Sequence, residues 1–429
     1  MVLIFVEEIS ERLQYTLDFV FSERNIVYQL TNDERFFENT PLVKFNYSNL
    51  EIKDCATIKP ATLLFEEKIE KYEITKSEFG KEECIAFNQI SDPLASIFYV
   101  LSRMEEYAVV NRDSHDRFPA KASILFQFNW LQNAMCDRWS EAVLDYLEFE
   151  TSIHLNRKKT LTEIIPTFDI DNTFAFKWKS GARMWLSITR DWMQRDRLRI
   201  ETRKAVRRNT EKDPFDTFPY ILDIKKRGFN VHVFWLLGDY AKYDRNISSL
   251  DIRHQQLIQK MANKVELGLH PSYKSNSSNV FLAKEKQKID SILNRDVSIS
   301  RQHFLKLNIP ETYDNLIKNG FSEDFTMGYA EEIGFRAGTA KPFRFFDLTK
   351  NILTDYIIHP FVYMDGTLHE YKNWNIEESK IQIKKLYDEV CQFGGDFTFI
   401  WHNETIADYR KWRGWNEVLE YTLSLKDGH

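Results

Sequence analysis

Several motifs that carry common chemistries are absent from this chain of 429 residues. Its 14 glycines form no GxGxxG after a predicted strand, no P-loop and no GxSxG elbow, so dinucleotide, phosphate and serine-nucleophile sites of those kinds are poorly supported. The four cysteines are scattered without a CxxC pair, and we expect them to be reduced and structural, in a reducing compartment. They are Cys55, Cys84, Cys136 and Cys391.

The chain also lacks the features of membrane, secreted and nucleic-acid-binding proteins. No apolar run reaches membrane-spanning length. The first residues, MVLIFVEEISERLQYTLDFVF, carry acids where a signal peptide would carry basic residues, and they contain no small-residue cleavage site. The formal net charge of −6 argues against general nucleic-acid binding. We therefore expect a cytoplasmic protein without a membrane span or a nucleic-acid partner, with secretion by another route left open.

What the chain does contain favours two globular domains. Its length exceeds that of one ordinary core, and 43% apolar with 28% charged residues is typical of globular proteins. Residues 1–155 are predicted to form a smaller α/β domain, with strands at VLIFVEE and NIVYQLT and helices at 91–107 and 136–149. We find no catalytic constellation in this half. A loop hydrogen bond is the preferred explanation for His115 in the turn-like HDRFP.

Residues 160–429 are predicted to form a second, parallel and barrel-like α/β domain, because short apolar runs alternate with amphipathic stretches. A locally basic, helical stretch within 177–213 interrupts the alternation, and a solvated face explains it better than contact with an acidic polymer. Predicted helices lie at 214–227, 285–294, 309–319 and 377–392. The strand-like runs are TEIIPTFDID, VHVFWLLG, VELGLHPSY, VSISRQHFL, FTMGYA, YIIHPFVYM and DFTFIWHNE.

Polar residues that end these runs are the candidates for catalysis, because chemistry sits at the carboxyl ends of the strands in such domains. Asp169 and Asp171 are two residues apart and would share one face of a strand, although an N-cap cluster with Asn172 would also explain them. One Asp and two His can hold a divalent ion while leaving positions open for water and substrate. The sequence has no HExxH spacing, so such ligands would converge only in the fold. The strand-end histidines are His270, His303 and His402.

These runs resemble the motifs of the polysaccharide deacetylase superfamily, carbohydrate esterase family four. PTFDID resembles the family's first motif, Thr-Phe-Asp-Asp, and ELGLHPSY resembles the opening of its second. SRQHFL occupies the place of the Arg-containing third motif, and FIWHNE resembles the late strand that carries the final His. A divergent bacterial branch of the family is a closer match, because its motifs LHPSY, RQHFL, TMGYA and GFRAGT all occur here in that order. That branch often has an uncharacterised N-terminal domain, which the segment DPLASIFYVLSRMEEY followed by HDRF resembles.

The resemblance implies a fold, an activity and residue roles. The fold would be a distorted (β/α) barrel of the polysaccharide-deacetylase type, preceded by the smaller α/β domain. The activity would be hydrolysis of an N-acyl or O-acyl group with one divalent metal ion, for which we favour zinc. Asp169 would be the base and Asp171 a metal ligand, although the inserted Ile170 allows the two roles to be exchanged. Arg301 would orient the base, and His402 would be the general acid with Glu404 as its local carboxylate.

Two departures from the family bear on the metal site. Lys274 stands where the family's second metal histidine would fall, and the Pro-Pro-Tyr that usually follows the third-motif arginine is missing. We predict that His303 supplies the third ligand beside Asp171 and His270, because a protonated lysine is a poor ligand. The alternatives are that His303 bonds to substrate, or that Ser272 or a water fills the position.

Arg336, in the Gly-bounded segment GFRAGT, is predicted to point into the site and to hold a carboxylate. A structural ion pair with Asp324 or Glu332 explains it about equally well.

Three functions remain open at this point. The first is a metal-dependent deacetylase acting on an N-acetylated sugar or a cell-envelope polysaccharide precursor. The second is a non-catalytic carbohydrate-binding protein, which the missing histidine motivates. The third is an amidohydrolase acting on a small non-sugar C–N bond, which the same site chemistry permits. The expected partner is thus a carbohydrate or an acylated small molecule.

Overall fold

A computed structural model describes residues 1–108, 111–179, 184, 188–189, 191–193 and 195–428. Its first 152 residues contain two small sheets with helices packed against them. The strands are β1 (Val2–Phe5), β2 (Tyr28–Thr31), β3 (Val43–Asn46), β4 (Ala56–Thr57), β5 (Ile74–Phe79), β6 (Glu82–Phe87) and β7 (Ile90–Ser91). The helices are α1 (Glu11–Val20), α2 (Glu34–Glu38), α3 (Pro93–Leu101), α4 (Ile124–Gln127) and α5 (Met135–Thr151).

The two N-terminal sheets differ in strand direction. The first is parallel with strand order β2-β1-β3-β4, and its centre, β1, is completely buried. The second is antiparallel with order β5-β6-β7. The predicted strands at VLIFVEE and NIVYQLT are confirmed by β1 and β2.

Helix α3 is shorter than the sequence pattern predicts. Asp92 caps it by accepting hydrogen bonds from the amides of Leu94 and Ala95, and Pro93 occupies the first turn. The helix ends at Leu101 because Arg103 adopts a left-handed conformation with φ of 55°, and a separate 3₁₀ turn follows. The periodic apolar pattern alone could not predict this break.

The C-terminal part contains one curled sheet of nine strands in the order β13-β14-β12-β11-β10-β9-β8-β16-β15. These strands are β8 (Thr162–Ile170), β9 (His232–Leu236), β10 (Glu266–His270), β11 (Ile299–Ser300), β12 (Glu323–Asp324), β13 (Phe343–Asp347), β14 (Ile352–Ile358), β15 (Tyr363–Met364) and β16 (Gly395–His402). All neighbours pair in parallel except β13 and β14. Among the described residues the two edge strands, β13 and β15, do not pair with each other, so the sheet is a half-barrel rather than a closed barrel.

Helices alternate along the chain with many of the strands of this half-barrel, as the sequence pattern predicts. The pattern missed the helices at Ile252–Ala262 and Asn416–Ser424, and it began the helix at Asn279–Leu293 six residues late, at 285 instead of 279. The helices are α6 (Arg197–Arg207), α7 (Phe218–Lys226), α8 (Ile252–Ala262), α9 (Asn279–Leu293), α10 (Glu311–Lys318), α11 (Ile376–Phe393) and α12 (Asn416–Ser424). No helix in the described ranges is both long and apolar enough to cross a membrane.

Three of the predicted strands differ from the structure. FTMGYA is a buried loop that begins directly after β12. In VSISRQHFL only Ile299 and Ser300 pair, and a 3₁₀ turn begins at His303. YIIHPFVYM is divided between β14 and β15, which lie far apart in the sheet order. Buried apolar residues therefore do not distinguish a strand from a buried irregular segment here.

The N-terminal part and the half-barrel share one continuous apolar core. A single cluster of buried side chains includes Val2, Phe98 and Trp139 together with Phe346 and Trp401. Helix α1 contacts β14, and the amide of Cys136 donates to the carbonyl of Gly338. The domain boundary near residues 155–160 remains a prediction.

A buried charge network also connects the two parts. The Glu106 carboxylate accepts Arg103 Nε at 2.8 Å, and it accepts Arg336 Nε and Nη2 at 2.9 and 2.6 Å. All three side chains are at most 2% exposed. Burial opposes ionisation of Glu106, but the two guanidinium groups outweigh it and lower its pKa.

Removing this carboxylate should strongly destabilise the protein. In Glu106→Gln two buried guanidinium groups lose their shared counter-charge, and the free energy of unfolding should fall by about 3–5 kcal/mol. Denaturant titration measures the change. Asp355→Asn, which breaks an exposed ion pair with Arg344, is the matched control and should leave the midpoint nearly unchanged. Equal stability of the two variants would contradict the importance of the buried network.

Candidate metal centre

The site lies where the carboxyl ends of β8, β10, β11 and β16 meet. In the sheet order these strands are neighbours or are separated only by β9. His402, at the end of β16, pairs in register with Asp169 near the end of β8. Because the strands are parallel, residues that follow their carboxyl ends meet at one rim. The predicted convergence of strand-end polar residues is found for Asp169, Asp171, His270, His303, Arg301 and His402.

Asp171 is the centre of the cluster. Its Oδ1 lies 3.3 Å from His270 Nε2, and its Oδ2 lies 3.4 Å from His303 Nε2 and 3.9 Å from His402 Nε2. One ligand atom each from Asp171, His270 and His303 lie within 4.8 Å of one another. This is the set that the sequence predicts as metal ligands.

In His270 and His303 the ring nitrogen that is farther from Asp171, Nδ1, already forms a hydrogen bond. His270 Nδ1 donates to the carbonyl oxygen of Arg301 at 2.5 Å, and His303 Nδ1 donates to Asp244 Oδ1 at 2.9 Å. A carbonyl can only accept, so His270 carries a proton on Nδ1, and the neutral form of the ring presents a lone pair at Nε2. An outer acceptor that orients a ligating ring in this way is the usual arrangement around protein-bound metals.

The residues present fit a divalent cation. Within the described chain Asp171 Oδ1 is buried and has no hydrogen-bond partner, which is costly without a cation nearby. Burial disfavours charge on His303, but Asp171 and Asp244 outweigh it and raise its pKa to about 9. Burial likewise opposes ionisation of Asp171, yet its histidine neighbours, His303 first, lower its pKa well below the usual range. One carboxylate and two imidazoles suit Zn²⁺ with open positions, and binding must displace a proton.

Asp169 and Arg301 form a buried ion pair beside this cluster. Arg301 Nη1 donates to Asp169 Oδ1 at 2.9 Å, and Arg301 Nε donates to the carbonyl of Phe325. The guanidinium also lies over the Phe234 ring, 4.4 Å from its centre. The second oxygen, Asp169 Oδ2, lies 3.7 Å from His270 Nε2 and faces the cluster.

His402 is paired with Asp365 rather than with Glu404, so that predicted partner is wrong. His402 Nδ1 donates to Asp365 Oδ1 at 2.9 Å, and the backbone amide of His402 donates to Asp365 Oδ2 at 2.8 Å. Burial opposes the charged imidazole, but Asp365 and then Asp171 outweigh it and raise the pKa of His402 well above its usual value. Glu404 instead accepts a long hydrogen bond from Asn172.

Arg336 is not part of this cluster, which corrects the prediction that it points into the site. It bonds to Glu106 as described above and donates Nη1 to the carbonyl of Gly328 at 3.0 Å. Neither Asp324 nor Glu332, the two partners considered for a structural pair, holds its guanidinium. Its Gly-bounded segment serves close packing, because a Cβ on Gly334 would lie 2.2 Å from the carbonyl oxygen of Leu131.

A cavity of about 310 Å³ opens onto the cluster. Arg117 lines it, so the N-terminal half contributes to the site although its sequence shows no catalytic constellation. Asp365 directly follows β15, and the strand-end criterion could have found it; no spacing singles out Asp244 or Arg117. Five of the six clustered residues line the cavity, all except Arg301. The lining also includes Gln302, Phe304, Leu305, Met364, Glu370, Tyr371, Glu404, Lys411 and Trp412.

His303→Ala should weaken Zn²⁺ binding, because it removes one of three donors. The expected loss exceeds the roughly 10- to 100-fold that changes in outer partners of a metal site cost. Competition with a chromophoric chelator measures the affinity. Lys274→Ala is the control, since Lys274 Nζ lies over the Phe281 ring and is not among the residues that line the cavity. Unchanged binding by His303→Ala would remove His303 from the ligand set.

Comparisons with known proteins add the following. Residues 2–152 match a family described only as of unknown function (DUF7033). No curated protein matches the chain. The chain is similar to a structure from Mycobacterium smegmatis named as a polysaccharide deacetylase, at 12% identity over 64% of this chain and 88% of the other, with a TM-score of 0.40. It is also similar to polysaccharide deacetylase Bc1974 from Bacillus cereus, at 9% identity over 63% and 89%, with a TM-score of 0.30. At such scores the likeness says nothing about the chemistry of the site.

Proposed function

We propose that the chain is a metal-dependent hydrolase that removes an acyl group, acetyl above all, from an N-acetylated sugar or a cell-envelope polysaccharide precursor. One observation carries this proposal. Asp171, His270 and His303 line one cavity, and two further pairs, Asp169 with Arg301 and His402 with Asp365, lie beside these three donors. Acyl hydrolysis requires an electrophilic centre, a base and an acid, and this cavity brings together candidates for all three.

The donors for a divalent ion would be Asp171, His270 and His303. A cation bound there supplies Lewis acidity toward the acyl carbonyl and toward the attacking water. Every other part of the chemistry belongs to the chain. His270 and His303 present Nε2 because their Nδ1 atoms are held by the Arg301 carbonyl and by Asp244.

Asp169 is the general base in this proposal. Arg301 binds its Oδ1 and leaves Oδ2 directed at the cluster, where an attacking water would lie. The pair is buried, so the guanidinium holds the carboxylate in one orientation. This geometry supports Asp169 as the base and Asp171 as the ligand, and not the exchanged assignment.

His402 is the general acid that gives a proton to the leaving amine. Its Nε2 lies 3.9 Å from Asp171 Oδ2 and faces the cavity, while Asp365 holds Nδ1 on the opposite side of the ring. The carboxylate stabilises the imidazolium, which keeps the proton available at neutral pH. The backbone amide of His402 also donates to Asp365, so ring and carboxylate are fixed relative to each other.

The cavity lining supports a sugar-like substrate. Phe304, Tyr371 and Trp412 provide flat apolar faces, and Gln302 and Glu370 provide polar groups among them. A small non-sugar amide is the second candidate, because about 310 Å³ lies near the lower end of the range for ligand pockets. The inactive alternative was motivated by Lys274, and His303 supplies a donor that the lysine does not.

Acetate release discriminates among these functions. The protein loaded with Zn²⁺ would be tested on N-acetylated mono- and oligosaccharides and on simple acetamides, before and after chelation. Chelator-sensitive release from the sugars supports the proposal, and release from simple amides alone supports the second candidate. No release from either class by fully loaded protein would overturn both.

Asp169→Asn should lower kcat by about 10²- to 10⁴-fold, the usual contribution of a general base, because the amide cannot take the water proton. Metal content, measured on the same sample, should stay unchanged because Asp169 is not a ligand. Asp239→Asn, at an exposed carboxylate paired only with Lys288 in the described chain, is the control. Full activity in Asp169→Asn would show that another group is the base.

Asp365→Asn should move the alkaline limb of the kcat–pH profile to lower pH. The acid works while His402 is protonated, and activity falls as pH rises through its pKa. Asp365 raises that pKa, so the neutral amide lowers it and the fall begins earlier. In His402→Gln the limb should disappear, and an alkaline limb unmoved by Asp365→Asn would exclude His402 as the acid.

A further inference from the structure

The N-terminal half contacts the loop that carries His303. We name residues 112–117 the clamp segment and residues 302–308 the His303 loop. Arg117 Nη1 donates to the carbonyl oxygen of Phe304 at 3.0 Å. At the end of the loop, Asn308 accepts from Arg112 Nη1 at 2.5 Å and donates to Asp116 Oδ2 at 3.0 Å. The clamp segment therefore holds the His303 loop at two places.

The clamp segment is ordered by its own hydrogen bonds. Asp113 accepts from the backbone amides of His115 and Arg117 and from Arg117 Nε, at 2.8, 2.9 and 2.7 Å. The amide of Asp113 donates to the Arg117 carbonyl at 3.1 Å, which closes the turn. Arg117 is 7% exposed and lines the cavity. Hydrogen bonds within the clamp segment therefore fix the position of the Arg117 guanidinium independently of its contact with the His303 loop.

The His303 loop has an unfavourable backbone conformation that needs support. Phe304 and Leu305, two consecutive residues with side chains, have φ values of 61° and 53°. Such left-handed pairs persist only where the surroundings hold them in place. Here the Arg117 guanidinium holds the Phe304 carbonyl, and the His115 ring lies 4.8 Å from the Phe304 ring.

Phe304, which Arg117 supports, directly follows the proposed metal ligand His303 in the chain. The Phe304 ring lies 4.7 Å from the His303 ring. The amide of His303 donates to the Pro271 carbonyl, and its Nδ1 donates to Asp244. These two bonds fix one side of His303, and the Phe304 backbone fixes the other. A change at Phe304 would therefore move the imidazole relative to Asp171 and His270.

We propose that the N-terminal half is a working part of the metal centre, with Arg117 as a positioning residue that sets His303 Nε2 through the Phe304 carbonyl. The inference rests on the proposed function, because it assumes that His303 is a ligand. It assigns a role to residues that precede the half-barrel and contact no donor atom themselves. It also accounts for the turn HDRFP, which the sequence explains only as a loop.

The test uses the full chain and Zn²⁺ itself. Arg117→Met keeps the length of the stem and removes every N–H donor, and it should weaken Zn²⁺ binding by roughly 10- to 100-fold, as outer partners of metal sites do. Arg24→Met is the matched control, because Arg24 is an equally buried N-terminal arginine that pairs with Asp137 and Glu141 away from the cavity. It should lower stability and leave Zn²⁺ affinity unchanged.

A double-mutant cycle with His303→Ala shows whether Arg117 acts through His303. In the His303→Ala background Arg117→Met should cause no further loss of affinity, because the residue that it positions is gone. Visible absorption of Co²⁺ substituted for Zn²⁺ gives a second readout, and the bands of Arg117→Met should differ in shape from those of the unmodified protein.

The outcomes separate this inference from the function on which it rests. If the unmodified protein binds no Zn²⁺, both fail. If it binds Zn²⁺ and Arg117→Met binds as tightly, only the inference fails. It fails as well if Arg24→Met causes the same loss, or if the loss from Arg117→Met persists in the His303→Ala background.

Discussion

The orientation of three imidazoles around Asp171 is the constraint on which the site depends. Each ring is held at Nδ1 by an acceptor from another part of the chain: the carbonyl of Arg301, the carboxylate of Asp244 and the carboxylate of Asp365. With that nitrogen engaged, each ring turns Nε2 toward one carboxylate. In the proposed mechanism two of these nitrogens bind a cation, and the third delivers a proton. The same local arrangement would then serve two chemical roles.

The curled parallel sheet makes this convergence possible, and the N-terminal half completes it. Parallel strands bring residues that are far apart in the sequence to one rim. Asn172 and Asn403, for example, are 231 positions apart and share a hydrogen bond. The N-terminal half shares its core with the sheet, joins it through Glu106 and reaches the cavity with Arg117. A region that carries no proposed ligand can therefore influence the ligands, because the packing between the two parts is continuous.

The sequence allowed prediction of those features that depend on local pattern. Asp169, Asp171, His270, His303 and His402 each end an apolar run, and that signal is visible without a structure. The strand-end criterion could have found Asp365 but not its pairing with His402, because Glu404 is nearer in sequence while Asp365 is nearer in space. Arg336 shows the same limit, since its partner Glu106 is 230 positions away. The pattern predicts a strand in the buried loop FTMGYA because burial, and not strand pairing, determines its composition.

As a proposed ligand, His303 would show how a metal site can tolerate the loss of a donor. A cation responds to the positions of donor atoms and not to the order in which the chain supplies them. Lys274 stands in the loop after β10 where the motif resemblance would place a donor. The neighbouring strand, β11, ends beside the same rim, and the imidazole of His303 lies there. That imidazole stands on a loop with two left-handed residues, a conformation that would not persist alone. A donor placed on such a loop needs an outside support, and the clamp segment is the part of the chain that contacts it. In this proposal the position of His303 depends on Arg117, so the replacement ligand requires the N-terminal half.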